Sequence, residues 1–456
     1  MAQARLEEVR RLLRRVVDVK DDELHAMLLA CAYFFFVLAG YYIIRPLRDE
    51  MAVAGGISNL PWLFTGTLTV MLAVNPLFAA LVAKLPRVLF VSLTYRFFAL
   101  NLIVFYILLS FSSEAQSIWI GRVFYVWASV FNLFVVSVFW AFMADTFRPD
   151  QGKRIFGFIA AGGTLGGLSA SALTAGLAEY LGPINLLLAA ALLLEAAVQS
   201  MLRLSKTAPL PTEFLITDPP PPVENPAYDL PATFPAVVPG TRESPIGGSA
   251  FAGIRNLMQS PYLMGIAAYM LLFTITATFL YFQQAEIAES YFTSRSMRTA
   301  FFAKIDALVN LLTLLIQIFL AGKVIRLLGI GLTLAILPIL CIAGFSALGV
   351  SGTLAVLIIF QALRRAANFA LARPAREVLY TVLSREDKYK AKTLIDTFVY
   401  RGGDQIGAWS YAAMSAIGFR AAHIAFTAVP LAIAWLIVAL WLGAKQRRHS
   451  ESKANH

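Results

Sequence analysis

The sequence predicts an all-α polytopic membrane protein with twelve transmembrane helices in two six-helix halves. Hydrophobic residues make up 59% of the 456 residues, whereas charged residues make up only 14%. A soluble protein of this length could not bury so much apolar surface. Long apolar runs recur along the chain, and a proline-rich segment divides them into two groups of six.

The predicted elements begin with a short leader and continue through the apolar runs. Residues 1–23 place Leu6, Val9, Leu13 and Val16 on one helical face, which indicates an amphipathic helix on the cytoplasmic membrane surface or a solvated charged leader. The apolar run after the leader is long enough to span, so the leader is not expected to be a cleavable signal. The predicted spans are residues 24–44, 59–82, 88–111, 118–143, 155–178, 183–202, 262–283, 300–321, 328–349, 353–380, 393–416 and 421–443.

A change of composition separates the sixth span from the seventh. Residues 204–256 are rich in proline, including the run Pro219–Pro222, and lack apolar periodicity. They predict a disordered cytoplasmic linker. The linker joins an N-terminal half of residues 24–203 to a C-terminal half of residues 257–444, and residues 445–456 form a basic cytoplasmic tail.

A weak internal repeat supports the division into halves. A shift of 240 residues lays the glycine cluster GGTLGG on a second cluster, GGDQIG. Small residues at four-residue spacing allow helices to approach closely, although two unrelated glycine clusters would look the same. Twelve spans in parallel half-repeats resemble the major facilitator architecture. The predicted packing glycines are Gly162, Gly163, Gly167, Gly402, Gly403 and Gly407.

The distribution of lysine and arginine predicts the orientation in the membrane. If the N-terminus is cytoplasmic, the cytoplasmic regions hold 25 of these residues and the opposite loops hold five. This bias places both termini in the cytoplasm. It also accounts for the net charge of +11 without nucleic-acid binding. We expect a monomer surrounded by membrane lipid in a bacterial inner membrane.

Residues that would indicate catalysis or metal binding are not grouped in the sequence. Cys31 and Cys341 lie in apolar runs, and the four histidines have no ligand spacing. No glycine-rich loop ends in Gly-Lys-Ser or Gly-Lys-Thr, which argues against an ATPase. Paired carboxylates and nucleophile–base arrangements are also missing. We therefore expect no enzyme activity and no cofactor.

Arginines within the apolar segments indicate a path for an anionic solute. An ionisable group that faces lipid costs on the order of 2.5–3.5 kcal/mol, so such groups face a partner or a water-filled cavity. In the tenth span, Arg365 and Arg376 are eleven residues apart and share one helical face, and Pro374 between them predicts a kink. The candidate substrate-binding residues are Arg48, Arg96, Arg365, Arg373, Arg376 and Arg401.

Two of these arginines lie in the N-terminal half. The first span ends in YYIIRPLRDEM, where Arg45 and Arg48 share a helical face. If the helix continues through Pro46, Arg48 points into a central cavity; otherwise these charges mark the membrane surface. Arg96, in the third span, has no acid nearby in sequence, so we expect a buried side chain whose partner is another helix or a ligand.

Acidic residues in the spans are candidates for coupling or gating. Asp306 lies deeper in the eighth span than Lys304. The side chain of Lys304 is as well suited to extend to the membrane surface as to take part in coupling or gating. Arg401 is as well placed to pair with Asp404 at helical spacing as to bind a solute. The candidates for coupling or gating are Asp49, Lys304, Asp306, Glu377, Asp396 and Asp404.

Two segments resemble the nucleotide transporter (ATP/ADP translocase) family of plastids and intracellular bacteria, which also has twelve spans. YYIIRPLRDEM is similar to its L-R-x-x-K-D pattern, and residues 372–403 resemble K-E-x-x-Y-x-x-L followed by K-x-K-x-x-I-D. By this resemblance Arg48 takes the place of a lysine important for nucleotide transport, and Asp404 lies where the family tends to have a basic segment. The matching positions of the second segment are Arg376, Glu377, Tyr380, Leu383, Lys390, Lys392, Ile395 and Asp396.

These observations favour a secondary transporter that moves an anionic, phosphorylated solute by alternating access. The resemblance implies nucleotide exchange, such as ATP for ADP. Guanidinium groups suit this task because they bind phosphate oxygens bidentately. One alternative is a proton-coupled porter of the major facilitator type for another small solute, in which Asp306, Asp396 or Asp404 titrates. Another is a non-transporting membrane component that interacts with lipid or regulates a partner.

Overall fold

The computed structural model describes residues 23–207, 257–383, 392 and 394–454, and nearly all of them are helical. The predicted leader lies outside the described residues except for Glu23, whose carboxylate pairs with Arg154 at 2.9 Å. The predicted linker also lies outside them, except that residues 204–207 complete the sixth helix. The last helix extends to Ala454, so the predicted tail is helical as far as it is described.

The N-terminal half consists of six helices joined by short connections. They are 22 to 33 residues long. At 1.5 Å per residue the shortest covers about 33 Å, enough to cross a hydrocarbon core of about 30 Å. The helices are α1 (Leu24–Ala54), α2 (Leu60–Lys84), α3 (Arg87–Phe111), α4 (Glu114–Thr146), α5 (Pro149–Leu181) and α6 (Leu186–Thr207).

The C-terminal half repeats this plan with two interrupted spans. The tenth span is divided by the π-helical segment Asn368–Ala372, and a second π-helical segment, Ile395–Val399, lies at the start of the eleventh. The helices are α7 (Pro261–Tyr291), α8 (Arg295–Phe319), α9 (Ala321–Val350), α10 (Leu354–Ala367), α11 (Arg373–Leu379), α12 (Tyr400–Ala416) and α13 (Ala421–Ala454).

The described residues contain eleven helical stretches long and apolar enough to cross a membrane. The predicted eleventh span is the exception, because α12 has only 17 residues and includes the charged Arg401 and Asp404. Its neighbours α7 and α2 pack against it, so its polar groups face protein. The structure thus confirms an all-α membrane protein with twelve helical passes.

Two hydrophobic cores correspond largely to the two halves, although the second also includes residues from α1, α2 and α4. The first surrounds α1, where the rings of Phe34 and Phe139 stack at 4.1 Å. The second surrounds α7, where the rings of Tyr269 and Trp435 meet edge to face at 5.3 Å. The halves meet where α5 packs on α8 and α2 packs on α12, and α1 also contacts α8. A central space is left between these pairs.

The glycine clusters bring helices together at equivalent places in the two halves. A Cβ atom on Gly163 would collide with Phe34 of α1, and one on Gly403 would collide with Thr274 of α7. The same shift of 240 residues relates both members of these pairs, which supports the predicted repeat. Gly162, Gly167 and Gly407 also lie at close helix contacts.

The prediction for Gly402 is wrong, and the structure adds a glycine that the pattern did not single out. A Cβ atom on Gly402 would meet nothing within 4 Å, because this residue faces away from α7. Gly166 of α5, by contrast, lies against the backbone of Phe35, whose carbonyl carbon would be 2.9 Å from an added Cβ atom. Backbone cannot move aside as a side chain can.

We predict that Gly166→Ala destabilises the folded protein by about 1–3 kcal/mol, the usual cost of overpacking. Gly176→Ala on the same helix is the matched control, because an added Cβ atom there would meet nothing within 4 Å. It should be neutral or slightly stabilising, since alanine favours helix over glycine. Thermal unfolding in detergent measures both variants. Equal melting temperatures for the two would contradict the close packing of α5 on α1.

Candidate functional site

A cavity of about 210 Å³ lies at the junction of the two halves. Helices α1, α2 and α4 line it from one half, and α7, α8, α10 and α12 line it from the other. Among the described residues, its walls carry five arginines and three aspartates, so positive charge exceeds negative charge by two. These residues are Arg45, Arg48, Arg364, Arg365, Arg401, Asp49, Asp306 and Asp404.

The first helix carries two of the charges because it does not end at Pro46 but continues to Ala54. Arg48 therefore lines the cavity, as the sequence predicted for a continuous helix. Its Nη2 and Nε donate to Asp49 Oδ1 at 2.6 and 3.0 Å, and its guanidinium lies 5.4 Å from the ring centre of Tyr125. The Tyr281 hydroxyl of α7 donates to the same carboxylate oxygen at 3.1 Å, which links the two halves.

Asp306 of α8 lies between arginines from both halves. Its Oδ1 accepts from Arg365 Nη1 at 2.7 Å, and its Oδ2 is 3.6 Å from Arg45 Nε of α1. The Nε and Nη2 atoms of Arg365 are buried and have no hydrogen-bond partner among the described residues. A buried donor without a partner costs about 1–3 kcal/mol. An anionic ligand that reached these two nitrogens after a rearrangement of the surrounding side chains would therefore be bound favourably.

Arg401 and Asp404 form the pair that their spacing predicted. Arg401 Nη1 donates to Asp404 Oδ2 at 3.2 Å, and the Thr278 hydroxyl lies 3.5 Å from Oδ1. Arg364, on the same helix as Arg365, lies 5.9 Å from the ring centre of Phe273. The cavity is thus surrounded by cations that are held by carboxylates and aromatic rings.

Arg376 does not line the cavity, so the predicted cationic stripe that it shares with Arg365 is wrong. The segment Asn368–Ala372 between them is π-helical, which adds about one residue per turn. At 3.6 residues per turn, one extra residue rotates the remainder of the helix by roughly 100°. Arg376 is consequently buried elsewhere, with Nη1 3.0 Å from Met270 Sδ. The structure confirms an interruption of this span, with Pro374 in the first turn of α11.

Arg96 also lies outside the cavity, and its predicted burial is wrong. Its side chain is 48% exposed, on the surface of the bundle, and it pairs with Glu195 of α6 at 3.0 Å. The expectation of a partner from another helix is confirmed. Pairing two opposite charges lowers the cost of holding either one at membrane depth.

The remaining candidates lie outside the cavity lining. Lys304 is exposed, which agrees with the snorkelling alternative. Glu377 pairs with Lys392 at 2.5 Å, and Arg373 lies over the ring of Phe369. Asp396 is 1% exposed, and neither of its carboxylate oxygens has a hydrogen-bond partner among the described residues.

Sequence reasoning did not select Arg45 and Arg364 as binding residues, although each had a usable signal. Arg45 lies three positions before Arg48, and Arg364 directly precedes Arg365. The contribution of Tyr281 had no such signal, because its pairing depends on how the halves meet. No group of three or more His, Cys, Asp or Glu residues suited to a metal occurs in the described part of the chain.

Further contacts tie the halves together on one side of the membrane. We call the side where α6 ends the linker face and the side where α1 ends the opposite face. Near the opposite face, the fully buried Glu50 pairs with Arg298 at 2.9 Å and with Arg295 at 3.3 Å. Nearby, Thr65 of α2 donates to Gln405 of α12 at 2.9 Å. These contacts hold the two halves together at the opposite face.

Solved structures of similar fold include several transport proteins. An auto-inhibited POT family peptide transporter has a TM-score of 0.58 at 15% identity, covering 93% of this chain and 97% of that one. The nucleoside transporter NupG has a TM-score of 0.56 at 12% identity, and the match covers 92% of this chain and 100% of that one. The human organic anion transporter MFSD10 (TETRAN) has a TM-score of 0.54 at 15% identity, and the match covers 92% of this chain and 100% of that one. The chain has the major facilitator fold.

The sequence itself has no comparable match. No family model matches the chain, and no curated protein is similar to it in sequence. The resemblance to nucleotide transporters therefore rests on the two motifs in the first and the tenth to eleventh spans. At 12–15% identity, the similarity to the solved structures concerns the fold of this chain alone.

We predict that Glu50→Gln favours separation of the halves at the opposite face, because Arg295 and Arg298 lose the acid that joins them to α1. Spin labels at Ser112→Cys and Ser351→Cys, in loops of the two halves at this face, report the distance by electron–electron resonance. The distance distribution should shift to longer values. Glu114→Gln, at an exposed position of the same face, is the control. An unchanged distribution in Glu50→Gln would contradict this role.

Proposed function

We propose that this protein is a secondary transporter that carries a phosphate-bearing anion through the central cavity by alternating access. The observation that supports this proposal best is the excess of arginine over aspartate at the junction of the halves. In this architecture substrate sites lie near the bilayer midplane at the interface of the repeats. Guanidinium groups present several donors in a fixed plane that matches phosphate oxygens.

The unpaired nitrogens of Arg365 give the proposed binding step its chemistry. A phosphate oxygen at Nε and Nη2 would satisfy two buried donors that have no partner among the described residues. The same anion would compete with Asp306 for the guanidinium of Arg45 and thereby act on both halves. Solute binding would in this way replace the ion pair between Asp306 and Arg45, which joins the two halves. The presence of solute in the cavity would thereby change how readily the halves move relative to each other.

Nucleotides are the specific solutes that we propose to test first. The resemblance of the two sequence segments points to nucleotide exchange, and one protein of similar fold is described as a nucleoside transporter. Rings of Tyr41, Phe64, Tyr125 and Tyr400 line the cavity and offer surfaces for a base. The cavity of about 210 Å³ is smaller than most ligand pockets, which measure about 300–1,000 Å³. A nucleotide would therefore require the halves to separate further.

We further propose a monomer in a bacterial inner membrane, with the linker face in the cytoplasm. The excess of lysine and arginine in the connections of that face supports this orientation. With the halves tied at the opposite face, the described state would receive solute from the cytoplasm. We propose no enzyme activity for this chain.

We predict that ATP, ADP or another phosphorylated solute stabilises the purified protein, and that Arg365→Gln abolishes this effect. A ligand at about 100 times its Kd stabilises the folded state by about 2.7 kcal/mol, which thermal unfolding in detergent detects. The panel contains nucleotides, sugar phosphates, inorganic phosphate and neutral sugars.

The matched control is Arg96→Gln, which removes an arginine outside the cavity and should leave the stabilisation intact. A solute that passes this test is then followed as radiolabelled uptake into proteoliposomes. Stabilisation by neutral solutes alone, unchanged in Arg365→Gln, would contradict an anion site.

A proton-coupled porter remains the second candidate, and the environment of Asp396 favours it. A buried carboxylate without a hydrogen-bond partner is unfavourable when charged, so such a group readily holds a proton. The cations Arg376, Lys392 and Arg373 favour its charged form, whereas the neighbouring Glu377 favours the protonated form. The protonation state of Asp396 would then change as the spans around it move.

We predict that, in this second case, an inward pH gradient accelerates uptake into proteoliposomes and Asp396→Asn removes the acceleration. Solute exchange at equal pH on both sides should persist in the variant, because Asp396 does not line the cavity. Acceleration by the gradient in Asp396→Asn equal to that in the native protein would contradict the role of this carboxyl group.

A further inference from the structure

A second and larger cavity lies on the membrane-facing side of the N-terminal half. It is a groove of about 1010 Å³ between α2, α3 and α4, and it is separate from the central cavity. Its walls are predominantly apolar. Leu93 and Phe97 of α3 and Val123 of α4 are exposed along it, so the groove is open sideways to the hydrocarbon of the membrane.

Charge is confined to one end of this groove. Among the described residues that line it, Arg122 is the one that carries a charge. Its Nη2 donates to the carbonyl oxygen of Gly55 at 3.1 Å, and its guanidinium lies 4.4 Å from the ring centre of Trp119. The Nε atom is buried and has no hydrogen-bond partner among the described residues. The guanidinium is thus fixed in place at the charged end of the groove.

The charged end lies at the depth of lipid headgroups. Helix α4 has 33 residues, or about 50 Å, and therefore extends about 10 Å beyond each side of a hydrocarbon core of about 30 Å. Arg122 lies eight residues from its start, about 12 Å, and so at the boundary of the core. Trp62 and Trp119 beside it are 63% and 66% exposed, as is typical of tryptophans at a membrane interface.

We propose that this groove binds a phospholipid of the leaflet at the opposite face, with its phosphate on Arg122 and an acyl chain along α3 and α4. From Trp119 to Phe134 the groove follows α4 for about 22 Å. One leaflet of the hydrocarbon core is about 15 Å deep. An acyl chain that enters beside the headgroup therefore finds apolar wall over its whole depth.

Charge complementarity identifies the occupant as a phospholipid rather than a neutral acyl chain. An apolar groove with one cation at headgroup depth matches an amphiphile with one anionic end. A neutral chain would cover the same walls but leave the guanidinium of Arg122 without an anionic partner, which is unfavourable in a medium of low dielectric constant. Phosphate oxygens are the anionic acceptors that phospholipids place near this depth, whereas the ester carbonyl oxygens that they share with diacylglycerol are neutral.

The bound lipid would also act on the junction of the halves. Helix α2 lies between the groove and the central cavity, with Leu63 on the groove side and Phe64 on the cavity side. The same helix contacts α12 of the other half through Thr65 and Gln405. A lipid that fills the groove would support α2 in the position seen here.

Native mass spectrometry of the full chain in a non-ionic detergent tests this proposal. The probes are phosphatidylglycerol and a diacylglycerol with the same acyl chains, which lacks the phosphoglycerol headgroup and its negative charge. We expect one phosphatidylglycerol to be retained per chain, and diacylglycerol to bind roughly tenfold or more weakly. Arg122→Gln should abolish this preference, whereas Arg122→Lys should keep most of it. Leu93→Trp, which fills the groove, should weaken both probes.

Two controls separate this groove from other sites. Leu173→Trp adds the same bulk at an exposed position of α5, outside the groove lining, and should leave lipid retention unchanged. Arg365→Gln removes a cation of the central cavity and should also leave it unchanged. Equal retention of the two probes by the native protein would overturn the proposal. A preference lost in Arg365→Gln but kept in Arg122→Gln would place the lipid in the central cavity and overturn it as well.

Discussion

The ion pairs of Asp306 are the contacts on which the central cavity depends. This carboxylate binds Arg365 within its own half and lies 3.6 Å from Arg45 of the other half. Charges at membrane depth are tolerated when they have partners, and Asp306 lets two arginines approach one another across the junction. Without an acid between them, the two guanidinium groups would repel one another and the halves could not close around a cationic space.

Close helix packing makes this arrangement of charges possible. Lipid provides little hydrophobic drive for helices to associate, so close backbone approach supplies the contacts instead. Gly163 and Gly166 allow α1 to lie directly on α5, and Gly403 and Gly407 allow α12 to lie on α7. The helices that carry Arg45, Arg48, Arg401 and Asp404 are therefore held by close packing at these glycines. Their side chains are placed in the cavity by rigid elements.

The sequence was sufficient for the fold and for part of the site. Spans, halves and the packing role of five glycines follow from hydropathy and spacing, because these depend on local composition. Arg48 followed from the geometry of one continuous helix. The failures had a different physical origin. The π-helical segment Asn368–Ala372 rotates Arg376 away from Arg365, and Glu195 on a distant helix accounts for Arg96. Neither the change of helical pitch nor the long-range partner has a signature in a single sequence.

The two π-helical segments indicate which part of the junction is built to change. Such segments are uncommon and occur frequently at functional sites, because the wider turn leaves the backbone less regularly bonded. Both lie in the C-terminal half of the described chain; one begins three residues after Arg365 and the other ends two residues before Arg401. The arginines contributed by the N-terminal half lie instead on an uninterrupted α1. A solute that binds between the halves would therefore contact a firm surface on one side and an adjustable one on the other. Since the cavity cations need a counter-charge in every state, the proposed anionic solute would take the place of Asp306 and would let the adjustable side move without exposing unpaired arginines.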